Sequence, residues 1–160
     1  MREILFRGKK WKTSVFDKTD WIYGSLIDSG NHEQVAIYPW FNGASTMSVR
    51  RLVYTRMEGV NPETVGQFTW MPDKNGKGIF EGDIVKFTSN PFEHSYVGEV
   101  VFHNGAFCIK YKVWKTRIDY HRIGKTDTWQ DMGASGEVTY SYEIIGNIHD
   151  NPELLEAANV

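Results

Sequence analysis

The segment Pro62–Phe87 constrains the fold of this chain more than any other stretch. Asn75-Gly76, near its middle, is a dipeptide that tolerates positive φ at both positions, so we predict a type I′ hairpin turn there. Gly82 then allows a tight bend, and Ile84-Val85-Lys86-Phe87 restarts a β-strand. A bend that leads directly into a strand is typical of small, strongly bent β-barrels. None of these residues is chemically reactive, so the segment predicts architecture rather than chemistry.

The composition indicates a folded protein of the cell interior. A chain of 160 residues suits one domain or two small modules, and 41% hydrophobic residues with six tryptophans exclude a disordered chain. Cys108 is the single cysteine, which fits a reducing compartment. The first residues alternate charged and apolar side chains, unlike a signal peptide. No apolar run approaches the roughly 18 residues that span a membrane. We therefore expect a cytoplasmic protein without membrane contact.

Alternating apolar residues predict a chain that is mostly β-strand. The predicted strands are Arg2–Arg7, Asp20–Ile27, Gln34–Tyr38, Ser48–Thr55, Thr64–Trp70, Ile79–Phe87, Gly98–His103, Ala106–Val113 and Tyr140–Ile148. Of these, Ser48–Thr55 has a pattern that a helix would also satisfy. Gly98–His103 and Ala106–Val113 should form a hairpin around Asn104-Gly105.

Polar and turn-forming residues separate these strands. Gly8-Lys9-Lys10 predicts a bend, Trp40–Ser48 a turn-rich stretch, and Lys125–Gly136 a mobile loop. Asn151-Pro152-Glu153 predicts the start of a short helix, with Asn151 as N-cap. The best internal boundary is Asn61-Pro62, since proline ends a β-ladder.

The sequence blocks resemble the YopX family of phage and prophage proteins. The blocks are MREILFRGK, WIYGSLI, PETVGQFT, DKNGKGIFEGDIV, GEVVFHNGAFCI and YEIIGNIHDNPELL, in this order from the start to Leu155. Pro39–Arg56 and Lys115–Ser135 lie outside the resemblance. It implies a β-rich N-terminal part that aids assembly and a bent, SH3-like β-barrel in the C-terminal part. With the boundary at Asn61-Pro62, these parts cover residues 1–61 and 62–160, and the residues of the second part predict a basic loop 114–137 and a C-terminal helical turn. The family has no established activity, so no catalytic residue carries over.

No group of side chains predicts catalysis, metal binding or a cofactor. The five histidines lack metal-ligand spacing. Cys108, across a turn from His103, would need that histidine to act as a nucleophile, but a mid-strand cysteine is more often a small buried hydrophobe. Glu81 and Asp83 flank Gly82, where we expect them to keep the turn solvated and one of them to accept backbone N–H groups. We therefore predict a protein that is not an enzyme.

A basic and aromatic run is the one feature with functional content. Lys110–Lys125 holds six cations against Asp119 alone, a balance of +5 that leaves −7 for the remainder of the chain. Cations neutralise phosphates and exposed rings stack on bases, so the run could bind nucleic acid. The alternatives are the solvated face of a half-buried strand, or contact with an acidic protein. The candidate contact residues are Lys110, Lys112, Trp114, Lys115, Arg117, Tyr120, Arg122 and Lys125.

Two functional hypotheses follow. The first is an oligomeric phage accessory protein that contacts itself and a phage or host protein through aromatic β-surfaces and exposed strand edges. The second is a small nucleic-acid-binding β-barrel that uses the basic run.

Overall fold

The computed structural model describes residues 4–11, 21–30, 34–39, 57–113, 117–131 and 134–157. The chain divides into two compact units, Met1–Phe68 and Thr69–Val160. Antiparallel β-sheet dominates the described residues of both, which confirms the mostly β fold class. The functional division into residues 1–61 and 62–160 stays a prediction. No helix within the described residues is long and apolar enough to cross a membrane.

The first unit contains a sheet whose strands follow the order β4-β3-β2-β1-β5. These strands are β1 (Phe6–Lys9), β2 (Trp21–Asp28), β3 (Val35–Pro39), β4 (Glu58–Val60) and the start of β5 (Gly66–Pro72), with a 3-10 turn at Pro62–Thr64. Val35, Ile37 and Val60 form its buried core. The predicted second and third strands are confirmed. The predicted strand Ser48–Thr55 and the turn-rich Trp40–Ser48 lie outside the described residues.

The bend predicted at Gly8-Lys9-Lys10 is wrong, because β1 continues through Lys9. Gly8 lets the strand lie close to the core, since a methyl group there would come within 2.9 Å of Val60 Cγ2. Lys9 Nζ lies 5.3 Å from the Trp21 ring centroid, so this lysine packs on an aromatic ring instead of turning into solvent. A prediction based on residue polarity alone assigns such a lysine to a solvent-exposed bend and therefore ends the strand too early.

The second unit is built on a sheet with the order β10-β9-β8-β7-β12-β11. Its strands are β7 (Asp83–Asn90), β8 (Ser95–His103), β9 (Ala106–Val113), β10 (Arg117–Arg122), β11 (Asp127–Asp131) and β12 (Ala134–Asn147), preceded by β6 (Gly78–Phe80) and followed by helix α1 (Glu153–Ala157). The predicted C-terminal helix and the hairpin at Asn104-Gly105 are confirmed. At this turn both residues have positive φ, 48° and 79°.

The second sheet curls into a half-barrel. Phe87 on β7 and His121 on β10 are separated by β8 and β9, which in a flat sheet would place them about 14 Å apart. Their rings instead stack with centroids 4.7 Å apart. Gly98 on β8 permits this curvature, because a methyl group there would overlap the Lys110 carbonyl oxygen on β9. SH3-like closure of the barrel stays a prediction.

The interior of the half-barrel is apolar. Ile79 on β6 and Val85 on β7 are fully buried there, together with Ile109 on β9. Phe107 and Tyr111 pack against the same cluster, as their alternation along β9 predicts. This cluster fixes which side of each strand faces inward.

The type I′ turn predicted at Asn75-Gly76 is wrong in type. Gly76 has φ 81°, whereas Asn75 is not among the residues with positive φ. The Gly76 N–H donates to the Asp73 carbonyl oxygen at 3.0 Å, so the tight turn begins at Asp73 and Gly76 follows it in the left-handed conformation. The Asp73 carboxylate favours a turn at this position, because it accepts hydrogen bonds from the backbone N–H groups of Asn75 at 2.8 Å and Lys77 at 2.9 Å.

The mobile loop predicted at Lys125–Gly136, and the wider loop predicted at 114–137, are also wrong. Strand β11 and the first part of β12 pair there, with Asp127 opposite Val138. Strand β11 is an edge strand with polar residues, so its sequence carries little hydrophobic alternation.

The expected solvation of the Gly82 bend fails for Asp83, which is 1% exposed. Its carboxylate accepts the Phe80 N–H at 2.8 Å, as predicted for one of the two acids. The Asp83 carboxylate is therefore buried and bonded to the backbone instead of being solvated. Gly82 takes φ 78° at the bend.

We expect Gly98→Ala to destabilise the second unit by about 3 kcal/mol, because the added methyl group must push β8 from β9. Urea unfolding followed by circular dichroism measures this loss. Gly59→Ala is the control, since its methyl group would lie 3.7 Å from Trp11 Cδ1, an ordinary contact. Equal stability of the two variants would contradict the role given to Gly98.

We expect Asp73→Ala to cost about 1–3 kcal/mol at pH 7, because it leaves turn N–H groups without their acceptor. Burial raises the pKa of Asp73, but hydrogen bonds from Lys77, Asn75 and Ile144 outweigh burial and hold it below 3.8. The carboxylate therefore stabilises the fold above the unfolded-state pKa, and this contribution disappears as pH falls through the lowered value. Unfolding at several pH values should show the cost shrinking in acid; a cost independent of pH would argue against this.

Candidate binding surface

The pairing of β9 with β10 decides which side chains of the basic run lie together. Lys110 is opposite Tyr120 and Lys112 is opposite Ile118. Directly opposed residues share a face of the sheet, and these alternate with the inward-facing Ile109 and Tyr111. We call the face that carries Lys110, Lys112, Ile118, Tyr120 and Arg122 the outer face.

The candidate contact residues do not form one continuous surface. Arg117 lies on the opposite face and pairs with Asp119, Nη2 to Oδ2 at 3.2 Å. Lys125 pairs with Asp127 at 2.5 Å in the turn after β10. Trp114 and Lys115 lie outside the described residues. The structure thus brings together four of the eight candidates, namely Lys110, Lys112, Tyr120 and Arg122.

The cations of the outer face have no acidic partner in the described part of the chain. Lys110, Lys112 and Arg122 make no ion pair there within 4.0 Å, although Glu99 is directly opposite Lys110 on β8. Lys112 and Arg122 are exposed. Their charge is therefore available to an external group.

An apolar recess lies beside these cations. This open recess has a volume of about 220 Å³ and is lined by Val97, Ile118 and Leu155 together with Glu99, Lys110, Tyr111 and Lys112. Ile118, the second residue of β10, is 50% exposed, so its side chain is open to contact at the recess. Sequence reasoning missed these apolar residues. The apolar Ile118 within RIDYHR was the available signal, whereas Leu155 reaches the recess only through the fold.

Tyr120 adds an aromatic ring to the outer face. Its ring stacks on His103, with centroids 3.9 Å apart and planes 7° apart. The ring is 39% exposed, so a planar group could contact it. The outer face therefore offers apolar, cationic and aromatic groups together.

The opposite face carries a buried aromatic and polar network. His121 Nε2 lies 3.0 Å from the Tyr142 hydroxyl oxygen, which accepts the Gly124 N–H at 3.1 Å. Burial lowers the pKa of His121 to about 4, despite the opposing effect of Asp127. Burial, followed by the hydrogen bond to Asp127, raises the pKa of Tyr140 to about 12. Near neutral pH both side chains are therefore neutral and support the fold.

Cys108 is also placed for packing. It is 6% exposed on β9, and burial raises the pKa of its thiol despite the nearby Arg122 charge. A raised pKa disfavours the nucleophilic thiolate. Among the described residues, no three His, Cys, Asp or Glu side chains are placed to hold a metal ion.

Comparison with known proteins places this sequence in a family. The model of the YopX protein family matches residues 11–156, almost the whole chain. The chain belongs to the YopX family. A curated relative, the SPbeta prophage-derived uncharacterized protein YopX of Bacillus subtilis (strain 168), is 40% identical over 88 residues. That match covers 54% of this chain and 57% of the relative, so the chain spans little more than half of the relative's length.

The YopX relationship confirms the predicted resemblance and agrees with a phage or prophage protein. The name of the relative specifies no reaction or ligand. The outer face of this YopX-family chain is therefore the surface from which we propose a function.

We expect the titration of His121 to contribute to the pH dependence of the free energy of unfolding. Its pKa is about 4 in the fold against 6.5 when unfolded, so the unfolded chain binds more protons between these values and stability falls as pH drops through that window. His121→Phe should flatten this slope, because the ring stack on Phe87 remains while the titrating group is lost. Urea unfolding from pH 7 to pH 4 measures the slope.

The control for this prediction is His94→Phe, since His94 is an exposed residue of the β7–β8 turn. It should keep the slope of the unmodified protein. A slope unchanged by His121→Phe would show that other groups govern acid stability.

Proposed function

We propose that this protein is a non-enzymatic, homo-oligomeric protein-interaction module of a phage or prophage, acting in the host cytoplasm. The observation that carries the proposal is the apolar recess of the outer face, bordered by Lys110 and Lys112 without acidic partners in the described residues. Protein interfaces combine an apolar centre with polar groups around it. The outer face has this composition.

The edge of the sheet is less suited to association than its face. Strand β10 is an edge strand, yet the Asp119 carboxylate accepts the Tyr120 N–H at 2.8 Å. An added strand would have to displace this side chain to pair with β10. Side chains of the outer face, rather than backbone groups of the edge, therefore supply the contacts in our proposal.

Sedimentation velocity of the full chain across a range of concentrations tests the proposal. We expect assembly that grows with concentration, with an absorbance spectrum typical of protein alone. Ile118→Asp should shift the equilibrium towards the monomer at least tenfold, since a charge in the apolar centre of an interface is costly. A chain that is monomeric at every concentration would contradict the proposal.

Nucleic-acid binding is the second candidate function. It is favoured by the half-exposed ring of Tyr120, which lies on the same face as Lys110 and Arg122. Rings and unpaired cations together bind single strands without sequence preference. Fluorescence anisotropy with a labelled single-stranded DNA tests it: affinity should fall steeply with salt and should drop on Tyr120→Ala with Arg122→Glu. Absence of binding at low salt would exclude this candidate.

A further inference from the structure

We infer that Asn104 is a modification site: its side-chain amide reacts spontaneously with water, whereas the fold protects the corresponding amide of Asn75. An asparagine that precedes glycine is the most reactive kind, because glycine has no side chain to hinder attack by its backbone nitrogen. The described residues contain two such pairs, Asn75-Gly76 and Asn104-Gly105, while Asn42-Gly43 lies outside them. The two described pairs differ in the hydrogen bonds that hold them.

The reaction consumes one water molecule and releases ammonia. The Gly105 nitrogen gives up its proton to the solvent and attacks Asn104 Cγ. A bond from nitrogen to Cγ forms, the Cγ–Nδ2 bond breaks, and ammonia leaves with a proton returned by the solvent. Water then opens the cyclic imide: opening at Cγ gives aspartate, and opening at the main-chain carbonyl carbon gives isoaspartate, in which the chain continues through Cγ.

The fold leaves the reacting groups of Asn104-Gly105 without hydrogen bonds. Both residues are exposed, and a methyl group added at Gly105 would meet no atom within 4 Å. Neither residue makes a hydrogen bond with another described residue. Ring closure requires the Asn104 backbone to rotate out of its left-handed conformation, with φ 48°, which is a costly one for a residue with a side chain. Among the described residues, the pairing of His103 with Ala106 at the end of the hairpin resists this rotation.

The fold holds both reacting groups of Asn75-Gly76. The Asn75 Nδ2 amide donates to Asp73 Oδ2 at 3.3 Å, and the Asn75 backbone N–H donates to Asp73 Oδ1 at 2.8 Å. The attacking nitrogen is bonded too, since the Gly76 N–H donates to the Asp73 carbonyl oxygen at 3.0 Å. Hydrogen bonds hold the pKa of Asp73 below 3.8 despite its burial, so the carboxylate is charged and opposes loss of a proton from the Gly76 nitrogen beside it.

Hydrogen bonding, rather than exposure, separates the two pairs. Asn75 and Gly76 are exposed as well. A hydrogen bond that must break before ring closure lowers the rate on the order of tenfold. We therefore expect Asn104 to react at least tenfold faster than Asn75 in the folded chain.

Conversion at Asn104 changes one end of the outer face. The preceding residue, His103, stacks on Tyr120 with ring centroids 3.9 Å apart. Aspartate adds a negative charge next to His103. Isoaspartate adds a backbone carbon to a two-residue turn whose geometry matches the twist of its strands, so the pairing of His103 with Ala106 is loosened. The modification therefore alters a surface from which we propose a function.

Ageing of the full chain in mildly alkaline buffer, followed by mass spectrometry, tests the inference. A protease that cleaves after glutamate releases residues 64–81 and 100–137, each of which contains a single asparagine. The gain in mass on conversion of an amide to a carboxylate then reports each site separately. The matched control is the same chain aged in guanidinium chloride, where the two sites should react at similar rates because the turns are lost.

Two variants test the physical cause. Asp73→Ala removes the acceptor of the Asn75 amide and the negative charge, so it should raise the rate at Asn75 several-fold and leave Asn104 unchanged. Asn104→Gly keeps a turn that accepts positive φ but has no amide to lose. Hydrogen exchange at His103 and Ala106 should therefore rise on ageing of the unmodified chain and stay constant in Asn104→Gly. Circular dichroism should show that both variants are folded.

Each outcome bears on the inference. Faster conversion at Asn104 in the folded chain, with similar rates in the unfolded one, supports it. Equal rates at the two sites of the folded chain, or faster conversion at Asn75, overturn it. A rate at Asn75 that Asp73→Ala leaves unchanged in a folded variant overturns the protection assigned to Asp73.

Discussion

The stacking of Phe87 on His121 joins strands that lie on opposite sides of β8 and β9. It requires a curled sheet, and the curl in turn requires Gly98, where a side chain would collide with the Lys110 carbonyl group. Inside the curl, aromatic rings and buried aliphatic side chains exclude water, so His121 stays neutral and bonded to Tyr142. This interior accounts for many of the aromatic residues of the second unit.

Curling also determines what the basic run can do. Once Ile109 and Tyr111 face inward, strand alternation places Lys110 and Lys112 outward, beside Ile118 and Tyr120. Arg117 and Lys125 leave this set, because each pairs with a neighbouring aspartate. The cations of the basic run are therefore close together in the sequence but do not lie on one surface of the fold. The part that remains available lies next to an apolar recess, which is why we propose a protein partner.

Local sequence predicted the strands wherever alternation and turn residues agreed, as in the hairpin around Asn104-Gly105. It failed where a specific contact, rather than the polarity of the segment, decides the structure. Lys9 continues β1 because Trp21 covers it, Asp83 is buried because Phe80 offers an N–H group, and β11 forms because β12 pairs with it. Lys110, Lys112, Tyr120 and Arg122 of the candidate surface could be predicted from composition. Val97 and Leu155 could not, since only the fold brings the helix to the sheet.

In the function that we propose, a second copy of the chain covers the outer face. Amide hydrogen exchange of the unmodified chain, compared between dilute and concentrated solution, tests this most directly. We predict that exchange slows with concentration in α1 and β10, while β2 and β3 of the first unit and the Asp73 turn exchange at unchanged rates. Slowing confined to the first unit, or no dependence on concentration anywhere, would contradict the account.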